Sequence, residues 1–245
     1  MFFATPVFAA EAAGHGAEAG HGVGPLFSIF GLEVSSVVTT MWGLMILLFL
    51  ASYFATRKLE KIPEGRLQNA MEFILETLLS QLAPVMGGEK MARRYFPLLA
   101  SFFILILCSN YSGLLPLAGH LPGLQAPTST LSVTAGLAIV VFFSTHFFGV
   151  KTKGIGYFKH FVQPLPFLLP LNIIEEFVRP LSLSLRLYGN IYGEEMVVAS
   201  LFALVPFFLP VPMMVLGILF GLIQAFVFTM LAALYIGTAA AEHHH

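Results

Sequence analysis

Residues 171 to 205 read LNIIEEFVRPLSLSLRLYGNIYGEEMVVASLFALV, an apolar run that also carries Glu175, Glu176, Arg179, Arg186, Glu194 and Glu195. As one helix it would extend ~52 Å, well beyond a hydrocarbon core of ~30 Å. A charge at the centre of a bilayer costs about 2.5–3.5 kcal/mol on insertion scales, so charges inside such a run are expected to serve a function. At about 100° per residue, Glu175, Arg179, Ser182, Arg186 and Asn190 fall within about 40° of one direction and form a polar stripe. Glu194 lies about 80° off the stripe and Glu195 on the opposite face. Along the axis, Glu175 precedes Arg186 by ~16 Å and Glu195 follows it by ~13 Å.

Carboxylates toward both membrane surfaces, with an arginine between them, suit two aqueous half-paths separated by a fixed positive charge. Arginine fits that barrier because it keeps its proton at any working pH. A structural ion-pair network is the other reading: Arg179 with Glu175 or Glu176, and Arg186 with Glu194. Glu194 and Glu195 cannot both be buried, ionised and unpaired.

Outward from this stretch the chain is equally apolar. Of its 245 residues 57% are hydrophobic and 10% charged, against roughly 25% charged in soluble domains. Lipid is therefore the expected solvent, and a net charge of −1 gives no case for nucleic acid. The single cysteine, Cys108, excludes an intrachain disulfide and a multi-cysteine metal site. Nothing calls for a cofactor. The reading is an all-α polytopic membrane protein with spans at about 34–55, 95–115, 133–150, 171–205 and 213–241. Residues 65–84 form an interfacial amphipathic helix, with Leu67, Ile74, Leu78 and Leu82 on one face. The last two spans are long enough to require steep tilt or a kink, with Pro180 a candidate position for one. Residues 1–33 form an extracytoplasmic arm. Met1 to Ala13 resembles the tail of a signal peptide without its basic start, and His15 and His21 sit among glycines and alanines. Nothing is built on His243 to His245.

Ten of the twelve basic residues, including Lys58, Lys90, Arg93, Arg94, Lys151, Lys153 and Lys159, fall in two segments on one side of the alternating spans. The positive-inside rule places the N-terminus outside and the C-terminus in the cytoplasm. In the last span Gln224 is the one strongly polar side chain between Met213 and Thr229. It reads either as an inter-helix hydrogen bond or as part of the path. His146 is open between packing and function.

The segment Pro180-Leu-Ser-Leu-Ser-Leu-Arg186-Leu-Tyr-Gly-Asn190-Ile-Tyr-Gly-Glu-Glu195 closely resembles subunit a of the F-type ATP synthase. Ile223-Gln224-Ala-Phe-Val-Phe228 is similar to the last-helix motif of that family. The resemblance covers nearly the whole chain, including the Lys151-Thr-Lys-Gly-Ile-Gly loop and a C-terminus ending in Glu-His. It implies a stator beside a rotating c-ring, with a subunit b peripheral stalk, in the bacterial plasma (inner) membrane. Protons would enter one half-channel, ride the ring on its carboxylates and leave by another. Arg186 would fall on the stator arginine. Asn190, Glu195 and Gln224 would line the periplasm-side path, and Glu175 or Glu176 would serve proton exit. The chain would have no catalytic site of its own.

Two departures follow from the same comparison. Many members carry Pro-Thr-Ala-Asp-x-Asn where this chain has Pro127-Thr-Ser-Thr130-Leu-Ser132. The outer path is then expected to recruit Thr130, Ser132, His146 or Glu194. Some members also place a histidine seven residues before the glutamine. That position is Gly217 here, while Glu194 occupies a position that is often small, so one polar group is expected to replace the other. Na+ instead of H+ as the coupling ion remains an alternative, as does a stand-alone ion-coupled transporter.

Overall fold

A computed structural model describes residues 25–29, 32–57, 65–114, 126–158, 167, 169–204 and 210–241. The arm with His15 and His21, the terminal histidines, and Lys58, Lys61 and Lys159 lie outside the described residues. Six helices dominate: α1 (Ser36–Thr56), α2 (Arg66–Val85), α3 (Glu89–Ser112), α4 (Leu131–Lys153), α5 (Leu169–Leu204) and α6 (Pro210–Ala240). A short antiparallel hairpin, β1 (Pro25–Ile29) with β2 (Leu32–Ser35), precedes α1. It falls partly within the arm, for which no regular structure was expected.

Windows in α1, α3, α4 and α6 are long and apolar enough to cross a membrane. The six charges of α5 set it apart from these four. The protein is thus a polytopic helical membrane protein. Several helices run past the limits expected from hydropathy. α3 begins at Glu89 rather than near Tyr95, because Lys90, Arg93 and Arg94 continue the helix beyond its apolar part, with Arg93 pairing one turn back to Glu89 at 2.7 Å. α6 begins at Pro210 because prolines in the first turn of a helix give up no hydrogen bond. α5 continues as a single 36-residue helix through Pro180.

α2 buries Leu78 and Leu82, with Met86 just beyond its end, against α3 and α6 and leaves Phe73 71% exposed on its other side. Gly87 and Gly88, with φ of 80° and 142°, turn the chain from α2 into α3, a backbone path that favours glycine. There the Gly88 N–H donates to the Ala83 carbonyl at 2.9 Å.

α3, α4, α5 and α6 form the packed bundle. Leu99 and Ile106 of α3, Val141 of α4, Leu183 and Leu187 of α5, and Phe228 and Ile236 of α6 fill its centre. Ala225, Thr229, Ala232 and Ala233 put small side chains on the buried face of α6. Small residues let helix backbones approach closely where lipid supplies no hydrophobic force between helices. α1, by contrast, leaves Trp42, Ile46, Leu47, Phe49 and Phe54 exposed. Because α3 and α5 run opposite to α4 and α6, the bundle has two ends. One carries Lys151 and Lys153; the other carries the 3₁₀ turn Pro127–Ser129.

Candidate functional site

α5 buries Leu183, Ser184, Leu187 and Ile191 in the bundle. Ser182, Arg186 and Asn190 therefore emerge on its exposed side. Leu181, Leu185 and Val197 on α5, with Ile218, Leu219 and Leu222 on α6, are exposed as well. Among the described residues Arg186 has no ion-pair or hydrogen-bond partner, and the pairing with Glu194 does not form. The guanidinium thus stands on an apolar surface with no counter-charge among the described residues.

Toward the end with the 3₁₀ turn, the polar groups are closely packed. One turn beyond Arg186, Asn190 Nδ2 donates to Gln224 Oε1 at 2.6 Å, tying α5 to α6. Gln224 is 3% exposed, and its Nε2 has no partner among the described residues. Glu194 fills the space beside Gly217. A side chain at position 217 would meet its carboxylate, and one of the two would have to shift. Glu195 points the other way. Its carboxylate accepts from the Ala126 N–H and lies against the Ser129 hydroxyl. A Cβ on Gly113 would stand 3.3 Å from Glu195 Oε1 and 2.8 Å from Ala126 Cβ, so glycine lets these groups meet.

A buried clasp holds that turn in place. Asn110 Nδ2 donates to the Gly221 carbonyl at 3.0 Å, and its Oδ1 accepts from Thr128 Oγ1 at 2.8 Å. Three elements, α3, the turn and α6, are joined through one side chain. Tyr111 adds a hydrogen bond to the Ile218 carbonyl at 3.1 Å, and Thr134 meets Ser184 at 3.2 Å. Sequence reasoning missed Asn110, Thr128 and Ser129. An amide inside the apolar run of α3 was the available signal. Two of the groups expected here are turned elsewhere. Thr130 donates its hydroxyl to the Pro127 carbonyl at 2.8 Å, closing its own turn, and Ser132 is exposed.

The lysine end is built differently. Arg179 bridges Glu175 at 2.7 Å and Glu176 at 3.1 Å, and its guanidinium lies 5.6 Å from the centre of the Tyr235 ring. These groups, with Lys153, Tyr157 and Thr238, line a cavity of about 480 Å³. His146 belongs at this end. Its ring Nδ1 lies 2.9 Å from the Phe142 carbonyl, and it lines a narrow recess with Glu176, Arg179 and Pro180. It is therefore placed away from the outer path for which it was a candidate. No group of three or more metal-ligating side chains occurs among the described residues.

Residues 38–237 match the family model for the ATP synthase A chain. The chain belongs to the ATP synthase subunit a family. It is 46% identical over 219 residues to an ATP synthase subunit a of Moorella thermoacetica, covering 89% of this chain and 96% of that one. It is also 46% identical over 211 residues to an ATP synthase subunit a of Syntrophotalea carbinolica, covering 84% and 86%. A chloroplastic ATP synthase subunit a of Stigeoclonium helveticum is 42% identical over 223 residues, covering 89% and 90%. The matched range holds Arg186, the Asn190–Gln224 pair and both clusters of acidic side chains. As a subunit a, the chain is a membrane component of an ATP synthase with no catalytic site of its own.

Proposed function

We propose that this chain is the stator of a proton-driven rotary motor, with Arg186 as the fixed charge that faces the carboxylates of a c-ring. The carrying observation is the guanidinium on the exposed apolar face of α5 and α6, without a partner among the described residues. A carboxylate on a neighbouring chain supplies the missing partner. At about 4 Å and an effective dielectric of about 20, such a pair is worth about 4 kcal/mol. That is comparable to the cost of about 2.5–3.5 kcal/mol for placing arginine at the bilayer centre. The attraction is strong enough to hold an arriving carboxylate in its charged form and weak enough to release it to the next proton.

Two half-paths reach this point from opposite ends of the bundle. From the outer end, Glu194 and Glu195 receive protons, and the Asn190–Gln224 pair orders the last step, ~6 Å along the axis from Arg186. From the inner end, the cavity at Glu175, Glu176 and Arg179 brings water close to the ring, with His146 at its narrow recess. The two paths are offset by the length of α5, so a proton crosses only by riding the ring. The length of α5 and α6 supports a steeply tilted hairpin that follows the ring's curved wall. Residues 34–245 act as a single membrane domain in the bacterial plasma (inner) membrane. The N-terminus lies outside and the C-terminus in the cytoplasm, and a subunit b peripheral stalk anchors the chain. Replacing Arg186 by alanine tests the reading: ATP-driven proton pumping by the reconstituted complex should be lost, and normal coupled pumping would overturn it.

A further inference from the structure

Arg179 pairs with two adjacent carboxylates, yet their surroundings differ. The Glu175 side chain is 58% exposed and that of Glu176 13%. Part of the difference comes from outside α5. The 3₁₀ segment Gly154–Phe158 follows α4 and turns Tyr157 back into the bundle, where it is 5% exposed. Its ring lies flat on Gly149 of α4. A Cβ at 149 would come within 2.5 to 3.0 Å of three ring carbons, so glycine provides the seat. The ring meets His146 edge-on at 5.8 Å and lines the inner cavity beside Glu176 and Arg179. Burial pushes the phenol up and the nearby Glu176 adds to this, with Arg179 opposing, so the hydroxyl stays neutral at working pH. A bulky, uncharged group thus stands beside the inner carboxylate at the cavity wall.

We propose that Tyr157 is a positioning residue of the inner half-path: seated on Gly149, it roofs Glu176 and leaves Glu175 as the carboxylate that exchanges protons with cavity water. This rests on the half-path reading above. The two carboxylates are therefore unequal: one anchors Arg179 under cover while the other is wet. Helix α5 begins the asymmetry by turning Glu176 toward the face of Leu183 and Leu187 and Glu175 toward that of Ser182 and Arg186, and the loop reinforces it.

A double-mutant cycle on the complete ATP synthase, purified and sealed into vesicles, separates this from a merely structural role. The readout is the initial rate of ATP-driven proton pumping. Glu175→Gln should lower it by about tenfold or more, in keeping with loss of a proton-transfer group. In a Tyr157→Ala background Glu176 becomes as exposed to cavity water as Glu175 and takes over, so the same change should lower the rate by no more than about twofold. Gly149→Ala, which displaces the ring, should behave as Tyr157→Ala does and serves if that variant fails to assemble. Tyr157→Phe keeps the ring and should leave the full Glu175→Gln penalty in place. An equal penalty in the native, Tyr157→Ala and Gly149→Ala backgrounds overturns the roof. Normal pumping by Glu175→Gln in the native background overturns the assignment of the inner half-path to Glu175, and the roof with it.

Discussion

The two ends of the bundle handle polar groups in opposite ways. At the end with the 3₁₀ turn, Asn110, Thr128, Asn190 and Gln224 are held by direct hydrogen bonds of 2.6 to 3.0 Å, and Gly113, Gly217 and Gly221 give the side chains room. At the lysine end an ion-paired trio faces a cavity of about 480 Å³. The first arrangement is specified atom by atom, since a buried donor or acceptor that loses its partner costs about 1–3 kcal/mol. The second tolerates change, because water can replace a lost partner and exposed ion pairs contribute about 0–1 kcal/mol. Mutations of similar size should therefore be far more damaging at the end with the 3₁₀ turn.

The largest difference is expected at Gly217. Gly217→Leu puts a side chain where the Glu194 carboxylate sits, and pumping should fall at least as far as in Glu194→Gln, to about a hundredth of the native rate. If Gly217→Leu pumps normally, Glu194 is not held where the outer path needs it. Asn110→Ala should come next. It strips the Gly221 carbonyl and the Thr128 hydroxyl of a buried partner, at about 1–3 kcal/mol for each orphaned group. A lowered thermal unfolding temperature of the detergent-solubilised complex would register this, with pumping reduced in step. An unchanged melting profile would show that the clasp is not needed to hold the turn. Arg179→Gln is expected to be milder, changing pumping by no more than about threefold, because cavity water reaches the half-exposed Glu175 and screens its pair with Arg179. A loss as large as that at Gly217 would erase the contrast between the ends. Smallest of all should be Lys153→Gln, which gives up a long contact of 3.5 Å to the Thr238 carbonyl. Native pumping within error is the expected outcome.

Helical geometry made much of α5 legible in the sequence. Counting positions around the helix put Glu175, Arg179, Arg186 and Asn190 on one stripe, and the structure shows Arg179 gripping Glu175 and Glu176 while Arg186 remains exposed. A charge census guided that search, and it passed over Asn110 and Thr128, which carry no charge and owe their importance to their neighbours in space. His146 shows a different limit. Fifteen residues into α4, it lies ~22 Å from the start of the helix, and so with the lysine end. Its titratable ring suggests a role near Thr130, but its position along the helix rules that out. Tyr157 could not have been found from the sequence alone: its role depends on a loop folding back onto Gly149. Helix limits were blurred for a related reason. Hydropathy marks where lipid begins, whereas α3 and α4 continue past that point through Glu89 and Lys153.

The central claim is that Arg186 separates two half-paths which otherwise meet at the ring. The direct measurement is passive proton conductance through the complete complex in vesicles with rotation locked by an inhibitor of the catalytic sector. With Arg186 in place the membrane should remain tight. With Arg186→Ala it should leak protons although the ring cannot turn, because nothing then prevents a proton from crossing between the paths at one ring carboxylate. A locked Arg186→Ala complex as tight as the native one would contradict the account.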